Sequence, residues 1–209
     1  MWSCKNDPSL FEKLGMALDQ FQKHFYRQQF EIRYLRSKGN EFQEFFRVIM
    51  EHAYPNDFIA VRPHGNIGDK KCDGYRKNNG TVFQCYAPRQ DNNLAALLKK
   101  MQEDFAGALE HWKTEMKQWV FVHNDEDGIP ADAVKLLEKF KADNKGLETG
   151  QYGFQELSDI VDGLPENKLS SLFGPLPSRS MVANVGNADI QAAVHGIQQY
   201  DPAADMGDP

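Results

Sequence analysis

Cysteine is scarce in this sequence, and what there is does not pair. Cys4, Cys72 and Cys85 are its three thiols in 209 residues, with no CxxC spacing among them. An odd, scattered set is a poor disulfide framework, so buried or inert thiols in a reducing, cytoplasmic setting are the expectation. Long apolar runs are also missing. None approaches the roughly 20 residues that a membrane helix needs, and the opening MWSCKNDPSLFEK lacks the basic stretch and apolar segment of an export signal, so no membrane partner is expected. Basic residues are outnumbered, 24 Lys and Arg against 30 Asp and Glu, for a net charge of -6. That excludes a general nucleic-acid coat, which needs an excess of cations to neutralise phosphate, but leaves room for a local basic groove. There is no internal repeat, and no Ser or Cys nucleophile is arranged with His64 or His123.

What is present is an ordinary globular composition, 41% apolar and 26% charged, suited to one domain with additions. From Pro8 to about Arg36, Leu10, Leu14, Leu18, Phe21, Phe25, Ile32 and Leu35 recur at helical spacing. A second helix is expected after Ser37-Lys38-Gly39-Asn40 and runs to about Ala53, with Phe42, Phe45, Phe46, Ile49 and Met50 on one face. Three extended segments follow: Phe58–Val61, Lys71–Lys77 and Thr81–Ala87. The last two flank Asn78-Asn79-Gly80, a hairpin signal because Asn and Gly take positive φ cheaply. A long amphipathic helix beginning near Asn92 leads into Trp119-Val120-Phe121-Val122, an apolar run that reads as a buried central strand. Helices near Ala131–Lys141 and Phe154–Leu164 and a short strand around Leu147–Thr149 complete the pattern. Beyond Phe173 the composition shifts to Gly, Pro, Ser, Asn and Ala, with one weak helix near Ala188–Gln199 and a loose end from Asp201. The expected division is an N-terminal helix (1–38), a core (39–125), an α-rich extension of the same domain (126–175) and a loose tail (176–209). The fold class is α/β.

The densest polar signal runs from Asn66 to Tyr75 and resumes at Phe83-Gln84-Cys85-Tyr86. Strand alternation puts Val82, Gln84 and Tyr86 on one face. The hairpin brings Asp73 toward Gln84 and Tyr86, with Glu41, Gln43 or Glu44 available from the preceding helix. An acid, an amide and a phenol in one place suit Mg²⁺ or Mn²⁺ held by few protein ligands and several waters. Each residue also has a plain reading. Asp69 and Asp73 lie in a Gly-containing turn, where Asp caps nearby backbone donors. Gln84 suits a buried polar neighbour, Tyr86 a packed strand aromatic, and Glu41, Glu44 and Glu51 a solvated helix face. Asp125-Glu126-Asp127 reads as a solvated turn. Lys99, Lys100, Lys113 and Lys117 are interrupted by Glu103, Asp104, Glu110 and Glu115, which reads as an exposed helix face.

Gly68-Asp69-Lys70-Lys71-Cys72-Asp73-Gly74 followed by Phe83-Gln84-Cys85-Tyr86 resembles the Mrr-like branch of the PD-(D/E)xK nuclease superfamily, and the αβββαβ order matches that superfamily's restriction-endonuclease-like core. The resemblance implies a metal-dependent deoxyribonuclease, with Asp73 and Gln84 as metal ligands; the family's helix acid falls at Gln43, with Glu44 and Glu41 as near substitutes. Tyr86 stands where the catalytic lysine belongs. Tyrosine is a neutral donor with a pKa near ~10 and does not replace that charge, so Lys70 or Lys71 would have to supply it, or the site binds without cutting. Gly68–Tyr75, Phe83–Pro88, Trp119–Asp125 and Leu172–Pro175 are together similar to a bacterial family associated with anti-phage defence. DNA is the partner this implies; a protein partner or a second copy of the chain stays open.

Overall fold

The computed structural model describes residues 18–61, 71–88 and 93–176, and the described residues up to Gly174 belong to one compact unit. Helix α1 spans Gln20–Arg36. It starts where Asp19 accepts the Gln22 N–H at 2.8 Å and the Gln22 side chain takes the Asp19 N–H at 2.9 Å, a reciprocal cap that satisfies two otherwise orphaned donors. The helix start expected at Pro8 falls in the first 17 residues, which lie outside the described ones; within the described residues this helix begins at Gln20. The buried stripe differs. Tyr26, Phe30 and Tyr34 are buried while Phe21 and Ile32 are exposed. The aromatic spacing of four wins because Tyr34 finds a partner for its hydroxyl in the His123 carbonyl at 3.0 Å.

Helix α2 (Asn40–Ala53) buries Phe42, Phe45, Phe46, Ile49 and Met50, the expected face. Strands β1 (Phe58–Ala60), β2 (Gly74–Arg76) and β3 (Thr81–Tyr86) form an antiparallel meander. Its hairpin turns through residues 77–80, with Gly80 at φ 69° and its N–H donated to the Arg76 carbonyl. Helix α3 (Leu94–Trp112), capped by Asn93, carries the chain over to β4 (Gln118–His123), which lies parallel to β3. Helix α4 (Ala131–Asp143) carries it on to β5 (Glu148–Tyr152), parallel to β4. Parallel neighbours require such crossovers. The short strand expected around Leu147–Thr149 is therefore a full edge strand. The helix expected at Phe154–Leu164 is α5 (Phe154–Asp162), and a further helix not expected from the sequence, α6 (Glu166–Phe173), follows after Gly163 and Pro165. The helix anticipated near Ala188–Gln199 falls outside the described residues.

The sheet order is β1-β2-β3-β4-β5, with β3 at its centre. One face is covered by α2: Phe46 meets Phe83 at 5.3 Å and Phe58 at 6.0 Å, and Phe83 meets Tyr152 at 5.5 Å. The other is covered by α3 and α4, where Val82, Met101, Phe105, Trp119, Phe121, Leu137 and Phe140 share one core. Two successive crossovers stepping in the same direction across a sheet belong on the same face under the right-handed rule. Among the described residues no helix is long and apolar enough to cross a membrane.

Candidate functional site

The distortion at the start of β2 sets the site. Gly74 is the residue in register with Phe83, yet the Asp73 N–H also turns to the Phe83 carbonyl at 2.8 Å. Two residues facing one is a β-bulge, a device that re-aims a side chain. The Asp73 carboxylate is thereby turned along β3, where Oδ2 accepts the Cys85 N–H at 2.6 Å. Gly74 is dictated by packing. A Cβ there would lie 2.4 Å from the Phe58 ring.

Gln84 stands on the neighbouring strand and is 4% exposed. Its Oε1 has no hydrogen-bond partner among the described residues, which ordinarily costs about 1–3 kcal/mol in a buried acceptor. Tyr86, two residues on, shares the Gln84 face and is half-buried, its ring 5.6 Å from Phe121. The neighbouring Cys85 thiol is held well above its ordinary pKa by burial first, then by the charges of Asp73 and Cys72. It is no nucleophile at neutral pH.

Glu44 is placed differently. It lies on α2, the helix covering the Phe83 face, whereas Gln84 and Tyr86 point toward α3 and α4. Arg47 binds both of its carboxylate oxygens. Asp69, Lys70 and His64 fall outside the described residues. Among the described ones, no three His, Cys, Asp or Glu stand together as a metal-holding group.

Two arrangements escaped the sequence. Asp104, expected on an exposed helix face, is fully buried. Its Oδ1 takes Lys100 Nζ at 2.6 Å and Lys71 Nζ at 3.0 Å, so Lys71 brings a cation onto the α3 side of the sheet. The signal was legible: Asp104 falls between Met101, Phe105 and Ala108 in the apolar stripe, four residues after Lys100. His123 is also more than a lone histidine. Its Nδ1 accepts the Asp125 N–H at 3.2 Å, so Nε2 carries the proton and donates it to Gln151 Oε1 at 2.7 Å. Gln151 in turn donates to Glu156 at 3.1 Å, and Glu156 accepts the Gly153 N–H at 2.8 Å. With both ring nitrogens engaged, His123 ties β4 to β5 and α5. It has no lone pair left for general-base work.

Comparison with protein-family models, with curated proteins and with solved structures gives no match to this chain.

Proposed function

We propose that the chain is a metal-dependent, endonuclease-like domain acting on DNA, with a role as effector or component of a bacterial defence system. The observation that carries the site is the buried amide oxygen of Gln84, without a partner among the described residues, beside the bulge that turns the Asp73 carboxylate along β3. The helix, three-stranded meander, crossover helix and parallel strand order supports a restriction-endonuclease-like core. The bacterial-defence role leans on the motif resemblance alone.

One carboxylate and one amide oxygen fit a Mg²⁺ or Mn²⁺ site completed by water and phosphate. Bound there, the ion would supply the charge that polarises a phosphodiester and activates water. Asp73 then provides the negative charge, with one oxygen already oriented by the Cys85 amide. Gln84 provides a neutral oxygen from a rigid central strand, and Tyr86 a hydroxyl donor. Glu44, on the helix covering the opposite sheet face and bound to Arg47, stays outside this set. A second reading, a nuclease-like module that binds nucleic acid or protein without cutting, is favoured by the seating of Tyr86 on Phe121 and by the engagement of Glu44 with Arg47.

Mn²⁺ or Mg²⁺ titration tests the site. A ligand that binds the folded state alone raises Tm by mass action. We expect the rise in the native protein and its loss in Asp73→Asn. An equal rise in both proteins, together with no cleavage of plasmid or single-stranded DNA in either, would remove the enzyme reading.

A further inference from the structure

Helix α1 carries two stripes, and the domain uses one of them. Tyr26, Phe30 and Tyr34 face inward, onto Phe42 and Phe45 of α2, Phe154 of α5 and Phe173 of α6. The second stripe is the one that periodicity first suggests. Leu18, Phe21, Phe25, Gln28, Ile32 and Leu35 follow one another by alternating steps of three and four residues, the a and d spacing of a coiled-coil seam. A helical turn of about 100° per residue places this row on the side of α1 opposite Tyr26, Phe30 and Tyr34. None of its members is buried; Phe21 is 60% exposed and Ile32 46%. Exposed apolar residues scattered singly need no explanation, but a continuous row marks an interaction surface.

The charges flanking the seam say what covers it. With Leu18, Phe25 and Ile32 at a and Phe21, Gln28 and Leu35 at d, Glu31 takes a g position and Arg36 the e position of the next heptad. In a parallel, in-register pair of helices, g of one chain lies beside the following e of the other. Glu31 thus meets Arg36 of a second copy, and by symmetry the pair forms twice. Both residues are exposed, and neither forms an ion pair with another described residue. The preceding g and e positions, His24 and Gln29, set no like charges against each other. An antiparallel pair would bring e against e, where Gln22, Gln29 and Arg36 offer Arg36 no acid. Gln28 is the polar member of the row. In register it meets its own copy, and the two side-chain amides donate and accept reciprocally; such a polar pair selects register at a cost in stability. Upstream, Leu14 and Phe11 continue the same spacing in the sequence.

We propose that α1 is a dimerisation helix, through which two copies of the chain pair in parallel and in register. Phe21, Phe25, Gln28, Ile32 and Leu35 form the seam, with Glu31 of each copy against Arg36 of the other. The inference is independent of the metal site and of any nucleic-acid partner. The described seam is short for a coiled coil, so the dimer is reversible and concentration-dependent.

Sedimentation equilibrium of the full chain over a concentration series tests this. The native chain should approach twice its mass of 23.8 kDa at the highest concentrations. Phe21→Glu and Ile32→Glu should each raise the dissociation constant by about tenfold or more, the share of one large apolar side chain left unburied. Val134→Glu, at an exposed position of α4 (45%), is the control and should keep the native constant. Glu31→Arg should weaken the dimer several-fold by setting cations together, and adding Arg36→Glu should restore it. A chain that stays monomeric throughout overturns the proposal. If Phe21→Glu and Ile32→Glu then lower the Tm of that monomer, the first 17 residues cover the face instead. A dimer untouched by these two variants overturns the proposal as well, because the contact then lies elsewhere. A dimer that the seam variants break but the charge exchange does not restore overturns the parallel register.

Discussion

Gly74→Ala probes the bulge that aims Asp73. The added methyl would sit 2.4 Å from Cε2 and Cζ of Phe58. That ring has nowhere to go: it is 7% exposed and wedged between Phe46 at 6.0 Å and Phe83 at 6.3 Å. Overpacking of this kind costs about 1–3 kcal/mol. Gly74 is not in the left-handed region, so alanine meets no backbone strain and recovers about 0.4–1 kcal/mol by stiffening the unfolded chain. The midpoints of these ranges leave a net loss of about 1.3 kcal/mol. In a domain of this length each kcal/mol moves Tm by roughly 2–4 °C, so calorimetry should show a drop of about 3–5 °C. If the clash is the cause, Phe58→Leu relieves it, and the double variant should recover at least ~0.5 kcal/mol relative to the sum of the single changes. An unchanged Tm in Gly74→Ala would refute the argument. So would the same loss whether or not Phe58→Leu is present, which would place the glycine's role in the backbone and not in the ring.

Two further outcomes are expected. Burial holds the His123 pKa below its ordinary value, against the upward pull of Gln151, Asp125 and Glu156. Its folded pKa is therefore below the unfolded one, so the unfolded chain takes up the extra proton. The stability this contributes is complete above pH ~6.5 and declines as pH falls below it. His123→Gln should flatten the fall of Tm between about pH 7 and pH 5; an equal slope in both proteins contradicts the assignment. Tyr86→Lys places a cation on the Gln84 face and should raise metal-dependent plasmid nicking above the native level. A lower Tm with no gain in nicking would instead favour the non-cutting module, with an ammonium left unpaired against Phe121.

Much of the architecture was already written in periodicity. The alternation in Thr81–Tyr86, the apolar run at Trp119 and the Asn-Asn-Gly turn are local signals, and each became the element expected of it. Helix α2 and its buried face were equally legible, because five large apolar residues at helical spacing admit one packing direction. Local pattern failed where a long-range partner outweighed it. The stripe of α1 follows Tyr26, Phe30 and Tyr34 because Tyr34 bonds a carbonyl of β4, 89 residues away. The full length of β5 is set by a parallel neighbour whose register no local run encodes.

For the candidate site, sequence placed Asp73 and Gln84 on adjacent strands because a hairpin is a local object. It did not place Glu44, since which sheet face a helix covers is decided only when the whole sheet packs. The bulge came from tertiary structure alone: Phe58 leaves no room for a side chain at position 74, and Asp73 swings to the Cys85 amide. Asp104 shows the same division. Its charge made it read as part of an exposed helix face, and in the fold Lys71 from the β2 arm joins Lys100 at its buried carboxylate. A carboxylate's burial depends on what reaches it through space, and that is fixed by the tertiary fold.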